Sequence, residues 1–232
     1  MKDILKLEFN SSDLFLFVMP HPDDEAVFCA GFIKRLTRSG NRVKVITLTK
    51  GEKSTHRYGL EEKVDLGEAR SVELANALGI LGINDSKLFD IPDGEIEKHY
   101  SRTREIVEEE IYNFQPDYVV TLEPSGIYGH PDHIALSEIV KDIGDKLPNQ
   151  FRLIYATVGS RFHPSKGASA MAEKKVVPLE ASHFISLRPK EVYTKVRALF
   201  AHKSQFGKGL IFKIVKWYLK GLSTREYYYK VE

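Results

Sequence analysis

The chain has 232 residues, 34 basic against 32 acidic side chains, and a formal net charge of +2. That length suits one α/β domain with a sizeable core, and the balanced charge gives no whole-chain pull towards nucleic acid. A single cysteine, Cys29, excludes an intramolecular disulfide and a multi-cysteine zinc site and fits a reducing, cytoplasmic setting.

Met1–Asn10 carries mixed charge and no extended apolar stretch, so neither a signal peptide nor a membrane span is predicted there. Leu14–Met19 (LFLFVM) is too short to cross a bilayer and reads as a buried strand. An Asp-rich turn leads into a helix over Glu25–Arg38, ended by Gly40-Asn41, and Val43–Thr49 reads as the next strand. Lys50–Lys63 is polar and aperiodic, hence a loop. Leu66–Leu78 has helical spacing and is predicted to stop at Gly79. A short strand, Lys87–Asp90, precedes the turn Pro92-Asp93-Gly94, and the acidic amphipathic helix Arg102–Phe114 is closed by Pro116. Asp117–Leu122 is a strand, Pro124–Gly129 a loop and Pro131–Ile143 a helix. Beyond it lie a strand over Phe151–Val158, a loop over Arg161–Lys175, a strand over Phe184–Leu187 and a helix over Lys190–Lys203. Leu210–Leu222 is apolar but carries Lys213, Lys216 and Lys220 at helical spacing. It is read as an amphipathic helix for core packing or a subunit contact, ahead of membrane-surface binding. A last strand falls near Tyr227–Val231.

This alternation implies an α/β fold: a Rossmann-like, three-layer arrangement with a mostly parallel sheet and helices on both faces. The expectation is a single domain over residues 1–232, with its core at about 12–158 and a C-terminal part at about 159–232. Ligands in such sheets gather beyond the carboxyl ends of the strands, so the loops after Met19, Thr49, Asp90 and Leu122 are the ones to search.

Two of those loops carry nearly the same word: His21-Pro22-Asp23-Asp24-Glu25 and His130-Pro131-Asp132-His133. A helix start alone explains Pro after a cap and Asp in the first turn. It does not explain a histidine before both prolines, with Asp24 and His133 at the matching fourth position. Histidine nitrogen and carboxylate oxygen are common zinc ligands, and a catalytic site keeps one position open. His21, Asp24 and His133 therefore form the candidate metal set, with zinc the default and another divalent ion possible in the same ligands. Asp23 is free to act as a general base, and His130 to stabilise an oxyanion or act as an acid. Asp132 either orients His130 or caps the helix. Glu25 reads as a first-turn residue facing the helix dipole, or as a group that orders the ligand loop.

The two histidine words, with Gly67-Glu68-Ala69-Arg70, Leu78-Gly79, Ile91-Pro92-Asp93-Gly94 and Ala201-His202-Lys203-Ser204-Gln205 in that order, resemble the PIG-L/LmbE-like zinc-dependent de-N-acetylases. The resemblance runs from Leu14 to about Gln205. It implies the same ligand, base and oxyanion roles, and it implies Arg70 and Asp93 as contacts to the sugar part of a substrate. Tyr128 matches a tyrosine placed over the active site, with a packed loop aromatic as the other reading. His202 closes the site or satisfies a core hydrogen bond, and the second reading is preferred. The implied reaction is release of acetate from a small N-acetylglucosamine-type conjugate. A different N-acyl or ester substrate, or a non-catalytic sugar-binding domain, remains open. Members of that family are often oligomeric, so the resemblance leaves a homo-oligomer of unspecified number open, while the balanced charge and short apolar runs argue for no nucleic-acid partner and no transmembrane segment.

Overall fold

The computed structural model describes residues 4–159, 176–207, 209 and 224–231. In chain order the first elements are β1 (Leu5–Lys6), β2 (Phe15–Met19), a π-helical turn (Glu25–Cys29), α1 (Ala30–Ser39), β3 (Val43–Thr49) and α2 (Leu66–Leu81). There follow β4 (Asp85–Ile91), α3 (Tyr100–Phe114), β5 (Tyr118–Leu122), the single turn α4 (Gly126–Gly129) and α5 (Pro131–Lys146). β6 (Arg152–Thr157), β7 (His183–Ser186), α6 (Pro189–Ala201) and β8 (Arg225–Lys230) complete the described elements.

The strands make one sheet in the order β1-β7-β8-β6-β5-β2-β3-β4. Every pairing is parallel except those of β8, which runs antiparallel to both β6 and β7. β2 is buried on both faces, which is why it reads as an unbroken apolar run. Phe15, Phe17 and Met19 enter one core layer and Leu16 and Val18 the other, as the two-residue period of a strand requires. On the first face α1, α2 and α6 supply Phe32, Leu36, Leu74, Leu81 and Leu199; on the second, α3 and α5 supply Val107, Ile111, Leu136 and Ile139. Phe32 packs edge-on to Phe15 and Phe17, with ring centres 5.5 and 5.8 Å away. Burying each such ring contributes roughly 1.5–3 kcal/mol.

Several boundaries differ from expectation for identifiable reasons. α2 passes through Gly79 and ends at Gly82, whose φ of 86° and N–H bonds to Gly79 and Leu78 carbonyls make it the cap. Gly79 costs helix propensity there without breaking the helix. The helix expected from Glu25 opens instead with the π-helical turn, and β4 is longer than its apolar core because its exposed Asp85, Ser86 and Lys87 still pair with β3. β1 is too short to carry a periodic signal. The expected Arg161–Lys175 loop and Leu210–Leu222 helix lie outside the described residues. Among the described residues no helix is long and apolar enough to cross a membrane.

Glu191 joins α6 to α1. It accepts two bonds from Arg35, at 3.1 and 2.6 Å, and the Arg188 N–H at 2.7 Å. Burial pushes its pKa up, but Arg35 and the Arg188 N–H outweigh that and hold it below the usual glutamate value. A depressed carboxylate stabilises above its unfolded pKa, about 4.3, and loses that contribution as pH falls through the lower folded value. The urea-midpoint gap between wild type and Glu191→Gln is therefore expected to be largest near neutral pH and to shrink on acidification. A gap that widened in acid would contradict this role.

Candidate active site

β2 is followed in sequence by β3 on one side of the sheet, whereas β5 lies on its other side. The sheet therefore reverses its winding between β2 and β5, and the loops leaving their carboxyl ends open a crevice there. His21, Asp23 and Asp24 come from the first loop; Tyr128, His130, Asp132 and His133 come from the second and from the start of α5. The Pro20 carbonyl, bonded by Thr49 N and Oγ1 at 3.0 Å each, fixes the first loop to the end of β3.

The structure brings His21, Asp24 and His133 together. One oxygen of Asp24, Oδ2, lies 3.4 Å from His21 Nδ1 and 3.5 Å from His133 Nε2. Ligands at the usual 2.0–2.1 Å from a tetrahedral zinc lie about 3.4 Å apart, so these spacings fit a shared ion. His133 is buried, and neither of its ring nitrogens has a hydrogen-bond partner among the described residues. Two orphaned nitrogens in a buried ring are costly unless something binds them. Burial and the neighbouring His21 and His130 push the His133 pKa to about 3 against the pull of Asp24, which keeps the ring neutral and able to ligate. Burial pushes Asp24 up, but His133 and His21 hold it at about 2, so it is a carboxylate. His130 also offers a ring nitrogen within 4.8 Å of ligand atoms of His21 and His133. Its Nδ1 accepts the Asp132 N–H at 3.2 Å.

The other nitrogen of His21 is crowded by carboxylates, with Asp132 Oδ2 at 3.0 Å and Asp93 Oδ1 at 3.1 Å. Burial lowers the His21 pKa, while the carboxylates of Asp132, Asp24 and Asp93 raise it above its usual value. With Nε2–H donating to Asp132 and Asp93, Nδ1 is the nitrogen at Asp24 that a metal would take by displacing its proton. Asp132 thus serves His21, and its carboxylate also accepts Gly94 N at 2.7 Å and Ile96 N at 3.1 Å. This corrects the expectation that the Asp132 side chain orients His130; the backbone N–H of Asp132 does so instead. Because His130 Nδ1 accepts, a neutral His130 carries its proton on Nε2. Burial and the charge of His21 push the His130 pKa down, favouring that neutral form.

Asp23 has a φ of 112°, a conformation in which a residue with a side chain is strained. Its carbonyl accepts Ala26 N and Val27 N at 3.0 and 2.9 Å, and its N–H donates to Glu25 Oε2 at 3.0 Å. Burial raises its pKa and Arg70 opposes this, leaving it at about 6. π-Helical turns recur at functional sites, and here one begins directly after Asp24.

The residues expected to touch a sugar are more committed than the sequence suggests. Arg70 is buried; Nη1 donates to the Gly51 carbonyl at 2.8 Å, Nη2 donates to the Pro22 carbonyl, and Nη2 lies 3.4 Å from Asp23 Oδ1. Gly51 makes this possible, because a Cβ there would sit 2.2 Å from Nη1. Asp93 pairs with His21 and accepts Lys53 N at 2.9 Å, and its own N–H donates to Glu52 at 2.9 Å. Tyr128 is half-buried, edge-on to His133 at 5.4 Å and to His130 at 6.0 Å. His202 is fully buried and bonded to Glu25 at 2.7 Å, so it satisfies a core hydrogen bond.

Sequence reasoning missed Glu52 and Glu123. Glu123 is fully buried and accepts the N–H groups of Ser125, Ile127 and Leu179 at 2.7–3.1 Å. It thereby holds Ile127 at φ 65°, ψ −55°, the residue that aims Tyr128. An acid at the carboxyl end of a strand was the available signal.

The profile of the PIG-L family, GlcNAc-PI de-N-acetylase, matches residues 16–143. The chain is 32% identical to the 1D-myo-inositol 2-acetamido-2-deoxy-alpha-D-glucopyranoside deacetylase of Saccharomonospora viridis, over 70% of this chain and 69% of that protein. It is 29% identical to a probable N-acetyl-alpha-D-glucosaminyl L-malate deacetylase 2 of Bacillus anthracis, over 82% and 80% of the two chains. The N,N'-diacetylchitobiose deacetylase of Pyrococcus horikoshii superimposes with a TM-score of 0.70 at 19% identity, covering 95% of this chain and 84% of that one, which speaks for the fold. With the profile and the relatives in agreement on one family, the chain belongs to the PIG-L de-N-acetylases.

Proposed function

We propose that this protein hydrolyses the acetamide of an N-acetylglucosamine-type conjugate, using zinc or another divalent ion held by His21, Asp24 and His133. The observation that carries the reading is the single Asp24 oxygen set at metal-ligand spacing from two histidine nitrogens, one of them on an otherwise unpartnered ring. Such an ion acidifies a water towards a pKa of ~7 and polarises an acyl carbonyl. Asp23, beside the ligands and titrating at about 6, is ionised at neutral pH and takes the proton of the attacking water. His130, neutral and protonated on Nε2, donates a hydrogen bond to the oxygen that gains charge as the acyl carbon becomes tetrahedral. The proton held by Asp23 then passes to the departing nitrogen, which leaves as an amine while acetate is released. Arg70 restrains the Asp23 carboxylate, while Asp132 and Asp93 orient His21.

The names of the Saccharomonospora and Bacillus relatives support a glucosaminide joined to a small polar aglycone. The test is metal analysis together with acetate release from N-acetylglucosaminyl inositol, N-acetylglucosaminyl malate, diacetylchitobiose, an N-acetyl amino acid and an acetyl ester. Expected are one ion per chain, loss of turnover on chelation, recovery with zinc, and a preference for glucosaminides. Tight sugar binding without acetate release from metal-loaded protein would return the reading to a binding domain. A preference for the ester or the amino acid would change the substrate class.

A further inference from the structure

Glu25 and His202 are both 0% exposed. Glu25 uses both carboxylate oxygens: Oε1 accepts His202 Nε2 at 2.7 Å, and Oε2 accepts the Asp23 N–H at 3.0 Å. That N–H belongs to the strained residue at φ 112°, so the Glu25 carboxylate is its acceptor inside a turn that ordinary backbone would not adopt. Removing the acceptor leaves a part-buried donor unsatisfied and allows Asp23 to relax, moving its carboxylate from its place beside Arg70.

His202 is itself well anchored. It follows α6, and two residues on, Ser204 N and Oγ bond to Glu73 on α2 at 2.8 and 2.7 Å. The Ser204 carbonyl accepts Tyr58 N at 2.9 Å, and Gln205 Oε1 accepts Ser54 Oγ at 2.7 Å. The imidazole thus reaches the base-bearing turn from a rigid junction of α2, α6 and the 50–63 loop. Arg70 restrains the Asp23 side chain; Glu25 restrains its backbone.

We propose that Glu25 and His202 are a positioning pair that holds Asp23 in its positive-φ conformation, with the carboxylate against Arg70 and next in sequence to Asp24. The inference rests on Asp23 being the base. It assigns His202 a role in turnover without contact to substrate.

The test compares Glu25→Met, His202→Leu, His202→Gln and the Glu25→Met/His202→Leu double variant as metal-loaded enzymes. Glu25→Met and His202→Leu are expected to lower kcat by about 10–100-fold, KM changing less than about threefold and metal content unchanged. His202→Gln can still donate to Glu25 and should stay within about threefold of wild type. The double variant should fall no more than about threefold below the weaker single variant, because the residues act as a unit. It also replaces a buried polar pair by an apolar one, which keeps the test available if a single variant fails to fold. Independently of turnover, the Asp23 amide should exchange with solvent at least about tenfold faster in Glu25→Met and His202→Leu, read by NMR on labelled protein. Wild-type kcat in metal-loaded His202→Leu, a rise in KM alone, or unchanged Asp23 exchange would overturn the pair. A wild-type enzyme that releases no acetate while Asp23 exchange still responds counts against the proposed deacetylation and not against the pair's hold on the turn.

Discussion

Asp23→Asn is expected to bind metal as the wild type does and to lose about 10²–10⁴-fold in kcat. Asparagine fits the same space and keeps the backbone N–H that donates to Glu25, but its amide cannot take a proton from water. The variant therefore isolates proton transfer from metal binding. The pH profile gives a second readout. Burial raises the Asp23 pKa to about 6 against the opposing charge of Arg70, so wild-type kcat/KM should fall as the solution is acidified through that region and Asp23 gains its proton. A divalent ion nearby adds positive charge, which moves this limb towards lower pH. Asp23→Asn should lack the limb altogether. Residual activity within tenfold of wild type, with the acid limb intact, would place the base elsewhere.

Glu226→Ala is expected to cost stability rather than chemistry, by about 3–5 kcal/mol. The Glu226 carboxylate is buried on β8 and accepts Gly31 N at 2.9 Å and Phe32 N at 2.8 Å, two N–H groups of the first turn of α1. Lys195 Nζ at 2.6 Å and Tyr228 OH at 3.0 Å complete its shell. Those N–H groups have no partner within the helix, and a carboxylate at a helix N-terminus also meets the favourable end of the dipole. Alanine would leave them and a mostly buried ammonium unpaired. At roughly 2–4 °C per kcal/mol for a chain of this size, the melting temperature should drop by on the order of 10 °C. An unchanged melting temperature would show that water replaces the carboxylate at no cost.

The sheet was legible because β2, β3 and β5 are apolar runs buried on both sides, and the paired histidine words marked the strand ends that face the crevice. The proximity of His21, Asp24 and His133 followed because each loop repeats the same spacing at a helix entrance. What stayed hidden was contact between residues far apart in the chain. Nothing local says that Asp132 bonds His21, 111 positions away, or that Glu25 meets His202 across 177. The positive φ of Asp23 was hidden as well: its acceptor Glu25 is two residues away, but the His202 that holds that carboxylate is not local. Arg70, which the family resemblance implied as a sugar contact, also has donors that hold the Gly51 and Pro22 carbonyls and a charge that faces Asp23, none of which its position in the chain announces.

The position of β8 has a consequence for how the chain is made. Residues 15–157 encode the contiguous parallel strands β4-β3-β2-β5-β6, and with them His21, Asp23, Asp24, His130 and His133. β6 receives its outer neighbour only when residues 225–230 have left the ribosome, and β1, which pairs with β7, joins the sheet through that same strand. A nascent chain can thus bring His21, Asp24 and His133 together while the β6 edge is still open, a state prone to strand-to-strand aggregation. Slow synthesis between the two stretches, or a break just before Arg225, would leave the β6 edge exposed to that fate.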